Sequence, residues 1–163
     1  VYIAFNKPVG VVCTAASHVE NNIIDYINYP EYIFPVGRLD KESQGLIILT
    51  NDGEMANKIL ESENMHEKEY IVTVDKSYDE EFINKMSSGV EILGVKTRPC
   101  KMKRVSDNTF KIVLTQGLNR QIRRMCKALG YNVIVLKRIR ILNLYLDDME
   151  IGTWRYFSEN ELY

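Results

Sequence analysis

Asp40 stands between Arg38 and Lys41 in the stretch GRLDKESQGLIILTNDG, which glycines 37, 45 and 53 punctuate. A lone acid in a basic loop ahead of an apolar run suits a carboxylate that must stay ionised, because nearby cations favour its charged form. Such a group can attack or stabilise an electron-poor carbon, or take a neighbouring proton. The glycines let the backbone turn sharply and approach a ligand closely. Taken without further context, the residues favour a plainer role for Asp40, as a helix cap or Asx-turn residue.

A second reactive-looking group lies in QGLNRQIRRMCKALG, residues 116–130. Ile122, Met125, Cys126 and Leu129 recur at helical spacing and make one core-facing stripe. Arg120, Arg123, Arg124 and Lys127 share that spacing and make a basic stripe beside it. Cations in the first turns of a helix oppose its dipole, at roughly 0.3–1 kcal/mol each when exposed. Breaking that rule repeatedly points to function, here an anion trap for phosphate or carboxylate. The alternative is a solvated basic face paired with acids such as Glu54 or Glu61.

Lys137-Arg138-Ile139-Arg140 forms a third cluster on an expected strand. Strict alternation sends Lys137 and Ile139 to one face, Arg138 and Arg140 to the other. An edge strand protected by charge explains this cluster as well as ligand binding does. Lys7, in Asn6-Lys7-Pro8, is read as structural in preference to a phosphate contact. The ten tyrosines offer surfaces on which bases stack, although most tyrosines are half-buried core residues with a wet hydroxyl.

The elements that must hold these groups alternate strands with a few helices. Val1–Phe5 reads as a first strand ended by Pro8, and Leu46–Thr50 as a buried strand. Asn51-Asp52-Gly53 marks a turn into a helix over 54–61. Residues 69–75 are strand-like, and Ser77 with Glu80 has the form of a capping box for the next helix. Strands return from Val90 to Gln116, broken at Gly94 and at Ser106-Asp107-Asn108. A helix over Asn119–Leu129 closes at Gly130, a strand pair fills 131–146, and Ser158–Glu161 starts a last helical turn. Without regular βαβ alternation this argues α+β with a mostly antiparallel sheet.

A chain of 163 residues with 45% apolar content is enough for one domain with a core. No run approaches the ~18 apolar residues of a membrane helix, and the N-terminus lacks the layout of a signal peptide. Cys13, Cys100 and Cys126 are odd in number and, with His18 and His66, show no zinc-type spacing, which suits a reducing compartment. The net charge of −1 conceals an asymmetry: residues 92–146 hold 13 Lys or Arg against one acid, Asp107, while the remainder holds 8 bases and 21 acids. A segment that basic suits a polyanionic partner, unless the two parts neutralise each other.

GRLDKESQGLIILT, preceded by NKPVG at 6–10 and followed by HEKEYIVTV at 66–74 and GLNRQIRRM at 117–125, resembles the RNA pseudouridine synthases. The likeness is to the group of RsuA, RluB, RluE and RluF, in its RluF-like branch. It continues through VEILGVKTRPCKMKR and IGTWR at 151–155. The resemblance implies an α+β catalytic fold with a mixed, mostly antiparallel sheet, flanking helices and a central basic cleft. It implies a reaction that detaches uracil from ribose, rotates it and rejoins it through C5, without cofactor or metal.

By the same resemblance Asp40 is the essential carboxylate, Tyr70 stacks on the target base and helps remove the C5 proton, and Arg123 pairs with Asp40. Arg38 stands in for the flipped-out base or holds the phosphate beside it. RNA contacts are expected from Lys41, Gln44, Asn119, Arg120, Gln121, Arg124, Lys137, Arg138 and Arg140. The implied partner is a ribosomal RNA stem-loop, with transfer RNA as the other candidate, and the enzyme is expected to be a cytoplasmic monomer that does not engage membranes. Residues 1–163 read as one catalytic domain, beginning where the group's small N-terminal S4-type RNA-binding domain would end.

Other classes fit less well. A non-catalytic RNA-binding or rRNA-folding domain has no need of Asp40, Tyr70 and Arg123 together. A metal nuclease wants clustered carboxylates, and Asp147-Asp148 reads as a turn. A glycoside hydrolase wants a second acid, and Glu42 has no motif to support that role.

Overall fold

The computed structural model describes residues 1–61 and 65–163. One mixed sheet runs through it in the order β11-β1-β3-β9-β4-β8-β7, where β1 is Tyr2–Lys7, β3 Gln44–Thr50, β4 Lys68–Val74, β7 Lys101–Arg104, β8 Thr109–Leu114, β9 Val133–Ile141 and β11 Trp154–Tyr156. Two short strands flank this path, β2 (Phe34–Val36) on β3 and β10 (Leu144–Tyr145) on β9, while β5 (Glu91–Ile92) and β6 (Val95–Lys96) pair apart. Every pairing in the large sheet is antiparallel except β3 with β9. The α+β, mostly antiparallel reading therefore holds.

The apolar run of β3 is buried on both faces. Ile47 and Leu49 join a core with Ile3, Phe5, Val72 and Phe110, under helices α1 (Ile23–Ile27), α3 (Glu80–Ser88) and α4 (Gln121–Ala128). Leu46 and Ile48 join a second core with Ala4, Met55, Ile59 and Leu162, under α2 (Gly53–Leu60) and α5 (Glu159–Leu162). Each such side chain stabilises the fold by about 1.5–3 kcal/mol, so β3 is the axis about which the two cores are built.

One edge of β3 is shared by two strands in turn. β9 pairs with it only at Gln44 and Gly45, in parallel, and β2 takes over at Ile48, Leu49 and Thr50. The chain between β2 and β3, residues 37–43, turns in the fork where β9 departs. That loop carries Asp40.

Two local expectations are corrected, and three short elements are added. α3 starts at Glu80 with Asp79 as its cap, whose carboxylate accepts from the Phe82 amide, so the proposed Ser77–Glu80 box lies too early. Asp79 wins because its oxygen reaches the amide three residues on, the same geometry the box needed. α1, β2 and β11 went unanticipated; all are too short to show a period. The alternation of Lys137 to Arg140 also fails. Tyr70 faces Arg138, but its neighbour Glu69 faces Arg140, a register shift that gives β9 one extra residue. This β-bulge turns Arg140 to the face opposite Arg138.

Candidate active site

The fork between β3 and β9 opens into a cavity of about 260 Å³. It is lined by Arg38, Asp40 and Ser43 of the 37–43 loop, Lys68 and Tyr70 of β4, and Arg138 of β9, among others. Apolar walls come from Ile48 and Ile141 of one core and Ile122 and Leu136 of the other. A cavity near the lower end of the roughly 300–1,000 Å³ typical of small-ligand sites suits one planar ring and excludes a helix.

Asp40 is held by charge and not by a cap. Its carboxylate Oδ2 lies 3.5 Å from Arg123 Nε and 3.6 Å from Arg120 Nη1, and its side chain is 27% exposed. The turn through residues 40–43 is closed by its backbone carbonyl, which accepts from the Ser43 amide at 2.9 Å. The side chain is therefore released from the Asx-turn role that the sequence allowed. Arg123 Nε is buried and has no aligned hydrogen-bond acceptor, so its approach to Asp40 is a close charge pair that a bound ligand can tighten.

The arginines are themselves positioned. Arg123 donates from Nη2 to Ser43 Oγ at 3.0 Å, and Ser43 is buried. Arg120 donates to Glu42 Oε2 at 3.1 Å. Glu42's carboxyl is held below its ordinary range by a backbone hydrogen bond first and by Arg120 next. Among the described residues, the acids that meet this basic helix start are Asp40 and Glu42. Arg120 occupies the left-handed region at φ +50° and caps α4 without a side-chain bond, which frees its guanidinium for the loop.

Residues 116–120 are tied to the helix they precede. Gln121 accepts from the Leu118 amide at 3.1 Å, and Arg124 bonds Asn119 through its carbonyl and its side-chain oxygen, both at 3.0 Å. A shallow second hollow of about 180 Å³ lies on the far side of the same arginines, lined by Arg120, Arg123, Lys127, Tyr131, Asn132 and Val133.

Lys7 fixes the loop from below. It is fully buried, and its ammonium donates to the carbonyls of Val11 at 2.8 Å and Pro8 at 2.9 Å, with Lys41 farther off at 3.4 Å. Lys41's carbonyl also accepts from the Gly10 amide at 2.8 Å. Burial pulls the Lys7 ammonium below its ordinary pKa. The structural reading of Lys7 is the one this geometry supports. Lys7→Met keeps the volume but leaves buried carbonyls unpaired, at about 1–3 kcal/mol each. We expect its urea midpoint to fall clearly below wild type; an unchanged midpoint would show that the buried ammonium contributes nothing net.

Of the residues singled out from sequence, Arg38, Asp40, Tyr70, Arg120, Gln121 and Arg138 line the cavity, and Arg123 stands behind Asp40. Arg138 is buried and donates from Nε to the Leu46 carbonyl at 2.8 Å, which bridges the fork. Lys41 and Gln44 sit on the rim loop and the start of β3, outside the cavity lining, as do Asn119 and Arg124. Lys137 pairs with Ile71 and faces away from Tyr70. Arg140 also faces away, bonded to Glu69 at 2.9 Å, to Glu67 at 3.3 Å and to the Leu142 carbonyl. Ser43 and Lys68 were not anticipated. The motif text contained both, but neither breaks a local rule that would have drawn attention to it.

The model of the RNA pseudouridylate synthase family matches residues 1–128. The chain is 54% identical over 162 residues to the dual-specificity RNA pseudouridine synthase RluF of Escherichia coli K12, covering 99% of this chain and 56% of that protein. It is 34% identical over 170 residues to ribosomal large subunit pseudouridine synthase B of Bacillus subtilis, covering 99% of this chain and 70% of that one. A crystal structure of a pseudouridylate synthase superposes with a TM-score of 0.91 at 30% identity, over 99% of this chain and 71% of that one. The chain spans little more than half the length of the RluF relatives it matches. The motifs, the fork-borne carboxylate and these likenesses agree: the chain belongs to the RNA pseudouridylate synthase family.

Proposed function

We propose that residues 1–163 form a catalytic domain that converts uridine to pseudouridine in structured RNA, with a stem-loop of large-subunit ribosomal RNA as substrate. The observation that carries this reading is Asp40: a carboxylate at a base-sized cavity, 3.5 Å and 3.6 Å from two arginines, with Tyr70 in the same lining. The names of the RluF and Bacillus relatives support RNA, and for the latter the large ribosomal subunit, as the substrate class.

In this reading the C1′–N1 bond of the target uridine breaks, the ring turns, C5 bonds to C1′, the C5 proton leaves and N1 takes up a proton from water. Atoms balance with no redox change. Asp40 meets the positive charge that builds at C1′, or removes a proton beside it. Arg123 and Arg120 hold its carboxylate in place at the cavity. Tyr70 offers its ring to the flipped base, which recovers part of the few kcal/mol spent on unstacking. Arg38, exposed at the mouth, takes the place of the departed base or holds the adjacent phosphate. Lys41, Gln44, Asn119 and Arg124 meet the RNA around that mouth, and the basic hollow behind Arg120 and Arg123 extends the same surface. The domain acts as a cytoplasmic monomer; among the described residues no helix is long and apolar enough to cross a membrane.

The test is tritium release from ribosomal RNA labelled at uracil C5. Stoichiometric release at a discrete set of sites is expected. RNA binding without any release would mean that these residues bind RNA and do not rearrange it.

A further inference from the structure

Lys68 is a cation without an acid. It opens β4 two residues before Tyr70, on the same side of the strand, and its side chain lines the cavity. Arg138 faces Tyr70 across the β4–β9 pairing, so Lys68 and Arg138 are diagonal neighbours on that side. Among the described residues Lys68 makes no hydrogen bond and no ion pair. Burial and the charge of Arg138 both act against its ammonium and bring its pKa down to about 8, and no carboxylate offsets them. The acids of the same lining are Asp40, which already faces Arg120 and Arg123, and Glu61.

A fold seldom keeps a desolvated, uncompensated cation unless something negative is to meet it. The acids that flank it in sequence do not: Glu67 and Glu69 are taken by Arg140 on the opposite side of the strand. The reaction itself supplies the missing charge. When C1′–N1 breaks, the electron pair leaves with the ring, and uracil becomes an anion delocalised over N1, O2 and O4. While Asp40 attends to the positive sugar, the ring beside Tyr70 needs a donor for its oxygens.

Resting on the reading of the site as a pseudouridine synthase, we propose that Lys68 is a catalytic residue that hydrogen-bonds a carbonyl oxygen of the leaving uracil and stabilises its negative charge, with the Arg138 guanidinium beside it. The step is balanced: the C1′–N1 pair goes to the ring, Asp40 meets C1′, and the ammonium keeps its proton. Bonding of C5 to C1′ neutralises the ring, the C5 proton then leaves as N1 takes one up from water, and Lys68 is again uncompensated, which favours release. The design is that of an oxyanion hole, a preorganised charge aimed at an oxygen that turns negative only during reaction.

The experiment compares wild type, Lys68→Met and Lys68→Arg in single turnover at saturating ribosomal RNA. It follows loss of the N1-linked nucleoside by mass spectrometry of digested RNA. Two transcripts are used, one with uridine and one with 5-fluorouridine, whose ring is a better anion and needs less help. Lys68→Met should slow the uridine reaction by about 10²–10³-fold, the usual cost of losing one such donor, with RNA affinity and melting temperature near wild type. Lys68→Arg should restore most of the rate, and the Met defect should shrink by at least about tenfold, or 1.4 kcal/mol, on the fluorinated transcript.

A Lys68→Met rate close to wild type overturns the proposal. So does an equal defect on both transcripts, which would mark Lys68 as structural. Failure of wild type on uridine RNA would instead remove the pseudouridine synthase reading itself, and is thereby distinguished.

Discussion

Asp40→Asn will abolish pseudouridine formation, lowering C5 tritium release by about 10⁴-fold or more, which is at least roughly 5.5 kcal/mol of transition-state stabilisation. The amide has the shape of the carboxylate and can accept a hydrogen bond from Arg123, so the loop keeps its course. What it lacks is the charge that meets C1′. Because Arg123 loses its anion and Arg120 keeps only Glu42 in this variant, the cavity mouth gains net positive charge. RNA affinity should therefore hold or rise, since phosphate neutralisation supplies most of it. Filter binding of the Asn variant checks this beside the activity assay. A collapse of affinity, or turnover that survives the change, would show that Asp40 shapes the loop and does not carry the chemistry.

Gly45→Ala is expected to cost more than any other single methyl in the chain, about 4–5 kcal/mol or more, the range of exceptional destabilisation. Gly45 has φ +110°, which an L side chain rarely adopts, and a Cβ there would collide with the carbonyl of Arg138 and come within 2.6 Å of its amide nitrogen. The obstacle is backbone on the far strand, so no rotamer change relieves it. The two residues are partners in the short parallel pairing of β3 and β9, and Arg138 also reaches Leu46 from there. Urea unfolding should show a large fall in midpoint or loss of the cooperative transition. Gly53→Ala is the matched control. It sits at the first position of α2 behind Asp52, with no atom within 4 Å of the added methyl. That change should stabilise by about 0.4–1 kcal/mol. Equal midpoints for the two variants would mean the fork tolerates a wider β3–β9 spacing than the structure has.

What could be read ahead of the structure was whatever leaves a local period. The stripe Ile122, Met125 and Cys126 is buried as its spacing required, and Gly130 closes the segment at φ +89°. β3 announced itself as an apolar run because both its faces are covered. The site was less legible. Nothing local says that Asp40 meets Arg123, 83 positions along the chain; that pairing was implied only by the family motifs. Lys68 looked like one more strand lysine, since its lack of a partner depends on which side of β4 the acids occupy. Lys137 and Arg140 were placed by counting in twos, and the count fails where the pairing slips. Register is a property of two strands, and one strand's residues do not contain it.

The slip in β9 has a further meaning for how this protein can change over time. Between Arg138 and Arg140 it is length, not residue type, that separates a cation in the cavity from one tied to Glu67 and Glu69 on the reverse side. Substituting Ile139 alters packing but leaves that sorting intact. Deleting it would remove the bulge and leave Arg138 opposite Tyr70 and Arg140 opposite Glu69. One residue added to β4 between Glu69 and Tyr70 would instead restore simple alternation in β9 and put both arginines on one side. The wall is thus tolerant of spelling changes and brittle to a single added residue in β4, so drift in such a lineage is free to rewrite these letters while the offset between the two strands stays put.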